Sequence, residues 1–137
     1  MKRVSMYRVN IHEQTEHDQV IAARVKQLEL LYRVLADPDI IRSEHTKGLY
    51  PDIIVMDKKN SVLFIEEVET ESSVTEKSRN ERWINYSKLK YPFNLIVPKS
   101  QETQAKQLIN GINICKLYYY KQTPIGIRFR QVSNLNI

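Results

Sequence analysis

Two apolar runs joined by a short polar connection constrain the fold of this chain more than any other feature of its sequence. The first run, Ile53-Ile54-Val55-Met56, lies within residues Tyr50 to Asp57, and the second extends from Ser61 to Glu69. Branched apolar residues are typical of strands, and Lys58-Lys59-Asn60 between the runs is typical of a hairpin connection. The sequence therefore predicts a pair of adjacent antiparallel strands.

Periodic apolar residues predict the elements around this hairpin. They recur at three- and four-residue steps between Glu13 and Ala36, which predicts a long amphipathic helix that ends at Asp37-Pro38-Asp39. The other predicted elements are a short strand at Ile40 to Glu44, a turn at Lys47-Gly48, a helix from Val74 to Lys90, a strand from Phe93 to Val97, a helix from Ser100 to Asn110, and a closing hairpin formed by Ile112 to Lys121 and Ile125 to Val132. Trp83 and Tyr86 are predicted core residues of the second helix. This order predicts one α/β domain over residues 1–137, with a central mixed sheet flanked by helices.

Charge and composition narrow the classes of partner and compartment. The 137 residues carry a net charge of +5, which favours an anionic partner such as nucleic acid. No run approaches the roughly 20 apolar residues of a membrane helix, and the residues after Met1-Lys2-Arg3 are too polar for a signal sequence. The single cysteine, Cys115, excludes an internal disulfide and a thiolate metal cluster. A cytoplasmic protein without a membrane partner is therefore expected.

An uneven distribution of acids marks the candidate site. Glu67 and Glu69 alternate along one predicted strand and therefore point to the same face of the sheet. The hairpin brings Asp52, at the start of the preceding strand, beside Glu67. Two carboxylates and the carbonyl of Val68 offer the hard oxygen ligands that Mg²⁺ or Mn²⁺ prefers. A cation there would relieve the repulsion between the acids, lower the pKa of a bound water and stabilise charge that develops on a phosphodiester.

These motifs resemble those of the PD-(D/E)xK nuclease superfamily, which includes restriction endonucleases and archaeal Holliday-junction resolvases. The resemblance rests on Pro51-Asp52, on Glu67-Val68-Glu69, and on an element order that matches the superfamily's αβββαβ core. More narrowly, Glu67-Val68-Glu69-Thr70-Glu71-Ser72, Glu81-Arg82-Trp83 and Leu95-Ile96-Val97-Pro98 are similar to a group of small prokaryotic proteins of this type. The resemblance implies a restriction-endonuclease-like fold, in which a third helix and a C-terminal hairpin follow the core.

The sequence departs from the superfamily at one position. Where the superfamily usually has a lysine that orients or activates the attacking water, this chain has Glu69. Some restriction enzymes of similar pattern use glutamate there and still cleave, so the departure leaves open which group acts as the base and how many metal ions bind. A lysine from the following helix is an alternative, and Lys77 is the nearest candidate. Resolvase-like members also add an acid from the first helix. Glu13, Glu16 and Glu29 are available for this role, and Glu16 lies in the first turns, near where such members place theirs.

The resemblance implies a Mg²⁺-dependent endodeoxyribonuclease that hydrolyses phosphodiester bonds of duplex or branched DNA. Asp52, Glu67 and the Val68 carbonyl would hold the metal, and Glu69 would be a further ligand or the base that orients water. Cutting both strands often needs two sites, which makes a homodimer one expected assembly. Two alternatives remain open. One is a nuclease-fold protein that has lost catalysis and binds nucleic acid or a partner protein as a scaffold, and the other is a small protein-interaction domain whose acids are purely structural.

Structural roles remain open for the same residues. Asp52 suits a strand start, Glu67 within a buried strand suits an ion pair with an arginine, and Glu69 suits a solvated strand end. His45 is a candidate phosphate or metal contact, and equally a packing residue. Two sets of basic residues are candidates for contacts with the DNA backbone. On the second helix these are Lys77, Arg79, Arg82 and Lys88, for which a solvated helix face is the alternative. In the closing hairpin they are Lys116, Lys121, Arg128 and Arg130 with Tyr118-Tyr119-Tyr120, for which the ordinary alternation of a hairpin is the alternative.

Overall fold

The computed structural model describes residues 11–36 and 49–133 of the chain. The elements in chain order are α1 (Ile11–Leu28), β1 (Arg33–Leu35), β2 (Ile53–Met56), β3 (Val62–Val68), a 3₁₀ turn (Glu71–Ser73), α2 (Glu76–Ser78), a π-helical turn (Arg79–Trp83), α3 (Ile84–Ser87), β4 (Phe93–Pro98), a 3₁₀ turn (Lys99–Gln101), α4 (Glu102–Leu108), β5 (Lys116–Thr123) and β6 (Gly126–Gln131). The predicted class, an α/β protein with a central mixed sheet, is confirmed. The predicted strand at Ile40 to Glu44, the turn at Lys47-Gly48 and His45 lie outside the described residues.

Helix α1 ends earlier than the sequence predicts, at Leu28 instead of Ala36. The exposed fractions of Leu30 and Leu31 are 81% and 79%, so the apolar stripe of the helix does not continue past Leu28. Residues Arg33–Leu35 form β1 instead, which pairs antiparallel with β2. Pairing with a strand that is distant in the sequence therefore outweighs the local helical pattern, as tertiary context commonly does.

The six strands lie side by side in chain order, β1 to β6. Strands β1, β2 and β3 form antiparallel pairs, and the predicted hairpin connects β2 to β3 through a turn in which Asn60 has a φ of 64°. Strands β3, β4 and β5 are parallel, and β6 returns antiparallel to β5. Parallel neighbours need crossover connections. Segment α2–α3 provides the crossover from β3 to β4, and α4 provides the one from β4 to β5.

The helical segment after β3 begins with a polar cap and contains an irregular turn. The Thr75 hydroxyl accepts a hydrogen bond from the Ser78 backbone N–H, which satisfies one of the unpaired donors at the start of α2. The chain continues directly into the π-helical turn Arg79–Trp83 and then into α3. Turns of this type are frequent at functional sites, because they change which residues face the interior.

Apolar side chains cover both faces of the sheet. One face packs against α2–α3 and α4, where Ile65, Leu95 and Leu117 from three neighbouring strands belong to the same buried cluster as Trp83. The opposite face packs against α1 through Val20 and Leu28. Trp83 is fully buried and Tyr86 nearly so, which confirms their predicted role as core residues. Within residues 11–36 and 49–133, no helix has both the length and the apolar character that crossing a membrane requires.

Candidate functional site

The start of β2 and the end of β3 bring two of the predicted site carboxylates together. Ile53 pairs with Glu66 across the hairpin, which places Asp52 beside Glu67. The Asp52 backbone N–H donates to Glu67 Oε1 at 3.1 Å, and the Val68 backbone N–H donates to Asp52 Oδ2 at 2.8 Å. Asp52 is 5% exposed and Glu67 is fully buried, so both carboxylates lie away from water.

Glu69 joins the same cluster at the end of β3, and is fully buried instead of solvated. Its Oε1 accepts hydrogen bonds from the Ser73 hydroxyl at 2.7 Å and from Arg82 Nη2 at 2.9 Å. Its Oε2 accepts one from Trp83 Nε1 at 2.7 Å. Three protein groups therefore donate hydrogen bonds to the two oxygens of this buried carboxylate.

Arg82 lies between the two glutamates. Its Nη1 donates to Glu67 Oε2 and lies 2.9 Å from Glu69 Oε2. Burial disfavours the charged guanidinium, but Glu69 and Glu67 outweigh that effect and raise the pKa of Arg82. Arg82 is 7% exposed, so its prediction as part of a solvated or DNA-contacting helix face is wrong. Glu67 instead forms the ion pair with an arginine that the sequence left open as its alternative role.

Helix α1 adds His17, whose role the sequence did not predict. His17 is buried, and its Nε2 lies 3.0 Å from Asp52 Oδ2. Its Nδ1 makes no hydrogen bond and lies 3.5 Å from Asp18 Oδ1. The helical spacing of His17, Val20, Arg24 and Leu28 places both polar residues on the buried stripe of α1, so the sequence contains a sign of their burial but not of their partners.

The structure links one of the two remaining predicted site residues, Glu16, to the cluster. The Tyr120 hydroxyl contacts Glu16 Oε2 at 2.8 Å and the Glu69 carbonyl oxygen at 3.1 Å, so Glu16 approaches the cluster through a tyrosine. Lys77 is exposed on α2. The cation that the helix after β3 supplies to the glutamates is therefore Arg82 and not Lys77.

A second buried ion pair lies on the opposite face of β3. Arg24 of α1 donates to Glu66 through Nε and Nη2, each at 2.8 Å, and Asn94 Nδ2 donates to Glu66 Oε2 at 3.0 Å. The guanidinium carbon of Arg24 lies 4.4 Å from the centroid of the Tyr118 ring. Burial opposes the charge of Arg24, but the contacts with Glu66 raise its pKa overall. Adjacent glutamates of β3 therefore pair with arginines from different helices.

The oxygen atoms of the Asp52–Glu67–Glu69 cluster have the chemistry that Mg²⁺ prefers, but their surroundings do not fit a metal ion. All three carboxylates already accept hydrogen bonds from protein donors, and the guanidinium of Arg82 lies between two of them. In the part of the chain that the structure describes, no group of three His, Cys, Asp or Glu side chains is arranged to hold a metal ion. Arg82 provides the positive charge that a metal ion was expected to provide between the acids.

The hydrogen bonds around Glu69 predict a measurable loss of stability when one donor is removed. We expect Ser73→Ala to lower the free energy of unfolding by about 1–3 kcal/mol, because the buried Thr70 N–H loses its acceptor and Glu69 loses a donor. Ser100→Ala is the matched control, since Ser100 is exposed and its removal should change stability by less than about 0.5 kcal/mol. Urea denaturation followed by circular dichroism measures both. Equal midpoints for the two variants would show that the Ser73 bonds do not stabilise the cluster.

Comparisons with protein families, curated proteins and solved structures find no match to this chain.

Proposed function

We propose that this chain is a nucleic-acid-binding protein with a restriction-endonuclease-like fold, whose carboxylate site is held by an arginine instead of a metal ion. The observation that carries this proposal is the position of Arg82, which forms ion pairs with both Glu67 and Glu69 in the buried interior. Its pKa is raised by those contacts, so it stays charged and neutralises the acids at every physiological pH.

The fold assignment is supported by the order of elements and by the place of the acids. A helix, an antiparallel group of three strands, a helical crossover and a parallel strand follow one another along the chain, as the superfamily resemblance implies. Asp52 precedes β2 and Glu67 lies near the end of β3, which are the positions of the matching motifs in the sequence.

Charge supports nucleic acid as the partner. Among residues 11–36 and 49–133, four acids are buried in the interior, Asp52, Glu66, Glu67 and Glu69, and two arginines are buried with them. The rest of the chain therefore carries a larger positive excess than the net charge of +5. Neutralising phosphates with such a surface releases counterions, so binding should weaken steeply as salt rises.

The direct test is binding and cleavage on one panel of labelled DNA: plasmid, linear duplex, single strand and four-way junction, each with Mg²⁺, Mn²⁺ or EDTA. We expect salt-sensitive binding that is the same with metal or EDTA within about twofold, and no cleavage, because no metal ion is needed for the contacts. Absence of binding to every substrate at moderate salt would overturn the proposal.

A Mg²⁺-dependent endodeoxyribonuclease is the second candidate, favoured by the convergence of Asp52, Glu67 and Glu69. It predicts metal-dependent cutting that Glu67→Gln abolishes and that Glu71→Gln, the removal of an exposed acid a few residues away, leaves intact. Trp83 is the only tryptophan of the chain and bonds directly to Glu69. Tb³⁺ that enters the cluster would therefore emit when Trp83 is excited, whereas the arginine-held site should give no such emission.

A further inference from the structure

A basic cleft lies on the closing hairpin, apart from the carboxylate cluster. Its volume is about 380 Å³, and its cationic lining consists of Lys99, Lys121, Arg128 and Arg130. None of the described residues that line it is acidic. All four cations are exposed, so their charges are available to a ligand in solution.

The register of β5 and β6 explains why these charges converge. Tyr119 pairs with Arg130 and Lys121 pairs with Arg128, and residues paired across a ladder share one face of the sheet. Lys99, directly after β4, adds its ammonium group 4.4 Å from the centroid of the Tyr119 ring. Strand alternation, one of the two alternatives for the hairpin, is therefore what places the cations side by side, and contact with nucleic acid stays a prediction.

The cleft and the carboxylate cluster lie at the same end of the sheet. Val68 pairs with Ile96, and the next residue of β4, Val97, pairs with Tyr119. Glu69 and Tyr119 are therefore separated by two strand spacings, roughly 10 Å between backbones.

We propose that this cleft binds the sugar–phosphate backbone of single-stranded nucleic acid. The inference rests on the proposed function and names the site and the form of its ligand. Cations beside an aromatic face are the combination with which proteins hold single strands, because the cations contact phosphates and the ring stacks on a base. The volume of the cleft suits one nucleotide unit at a time, and lies at the small end of ligand sites.

The experiment compares two variants that each remove two positive charges. Arg128→Gln/Arg130→Gln changes the cleft, whereas Lys58→Gln/Lys59→Gln changes exposed lysines in the β2–β3 turn at the opposite end of the sheet. The probe is a labelled oligothymidylate of about 12 nucleotides, measured by fluorescence anisotropy across a salt series, with the matching duplex in parallel. We expect the cleft variant to lose affinity for the single strand about tenfold or more and the turn variant less than about twofold. The slope of log affinity against log salt should fall by about 1.4 in the cleft variant, for two lost phosphate contacts.

Each outcome separates this inference from the proposed function. Wild-type binding that the cleft variant retains would overturn the cleft and leave the proposed function standing. Wild type that binds the duplex but not the single strand would overturn this inference alone, and wild type that binds no substrate of the DNA panel would overturn both. Duplex bound as tightly as the single strand would overturn the single-strand assignment, and displacement of the probe by equimolar thymidine monophosphate would show a free-nucleotide site instead.

Tyr119→Leu should weaken binding about threefold to tenfold with the salt slope unchanged, and an unchanged affinity would remove the stacking contact.

Discussion

Arg82→Met is expected to lower the free energy of unfolding by about 3–5 kcal/mol, because it leaves the charges of Glu67 and Glu69 buried without their cation. Methionine keeps most of the side-chain length, so the loss reports mainly on charge. Two carboxylates a few ångströms apart also repel each other, and no solvent reaches them to reduce that repulsion. Urea denaturation followed by circular dichroism measures the change.

The control for Arg82→Met is Lys77→Met on the same helical segment, at an exposed position, where we expect a change within about 0.5 kcal/mol. A second variant combines Arg82→Met with Glu67→Gln and should recover part of the lost stability, since it removes one of the two uncompensated charges. If Arg82→Met is as stable as Lys77→Met, the guanidinium does not hold the cluster together and the arginine-held site is excluded.

Arg24→Met should also cost about 3–5 kcal/mol of unfolding free energy, through the opposite face of β3. The substitution removes two hydrogen bonds to the fully buried Glu66 and the contact of the guanidinium with Tyr118. Arg24→Lys keeps the charge but not the two parallel bonds, so an intermediate loss is expected. Thermal unfolding monitored by circular dichroism ranks the variants.

Lys26→Met, at an exposed position of α1, is the matched control for Arg24→Met and should leave the melting temperature nearly unchanged. Combining Arg24→Met with Glu66→Gln should restore much of the loss, because the neutral amide still offers Asn94 an acceptor oxygen. A double variant that is less stable than Arg24→Met alone would contradict the assignment of the loss to an unpaired carboxylate.

The features that the sequence predicted correctly are those that depend on residues close together in the chain. Alternation along β3 and a short polar turn identify the β2–β3 hairpin, and the same alternation places Glu67 and Glu69 on one face. The proximity of Asp52 to Glu67 follows from the hairpin alone. Glu16 and Lys77 were assigned by resemblance; in the structure Glu16 reaches the cluster through Tyr120, and Lys77 is exposed on α2.

The features that the sequence did not reveal depend on contacts between distant segments. The helical pattern of α1 extends past Leu28, and only the partner strand β2 shows why the chain turns there. The sequence alone does not distinguish a buried arginine from an exposed one, so Arg82 was grouped with surface cations. The partners of Glu66 and Asp52 come from α1, and their identification needs the helix orientation as well as its spacing.

The π-helical turn has a consequence for recognising related chains. The π-helical turn contains one residue more than an α-helical turn, and Arg82 and Trp83 are its last two residues. Both side chains donate hydrogen bonds to Glu69. Twelve residues lie between Glu69 and Arg82, and gain or loss of one of them would rotate the arginine away from the acids. A signature of Glu-x-Glu, a gap of fixed length and Arg-Trp is therefore a more selective query than the acidic motif alone, because it encodes the arginine that occupies the site.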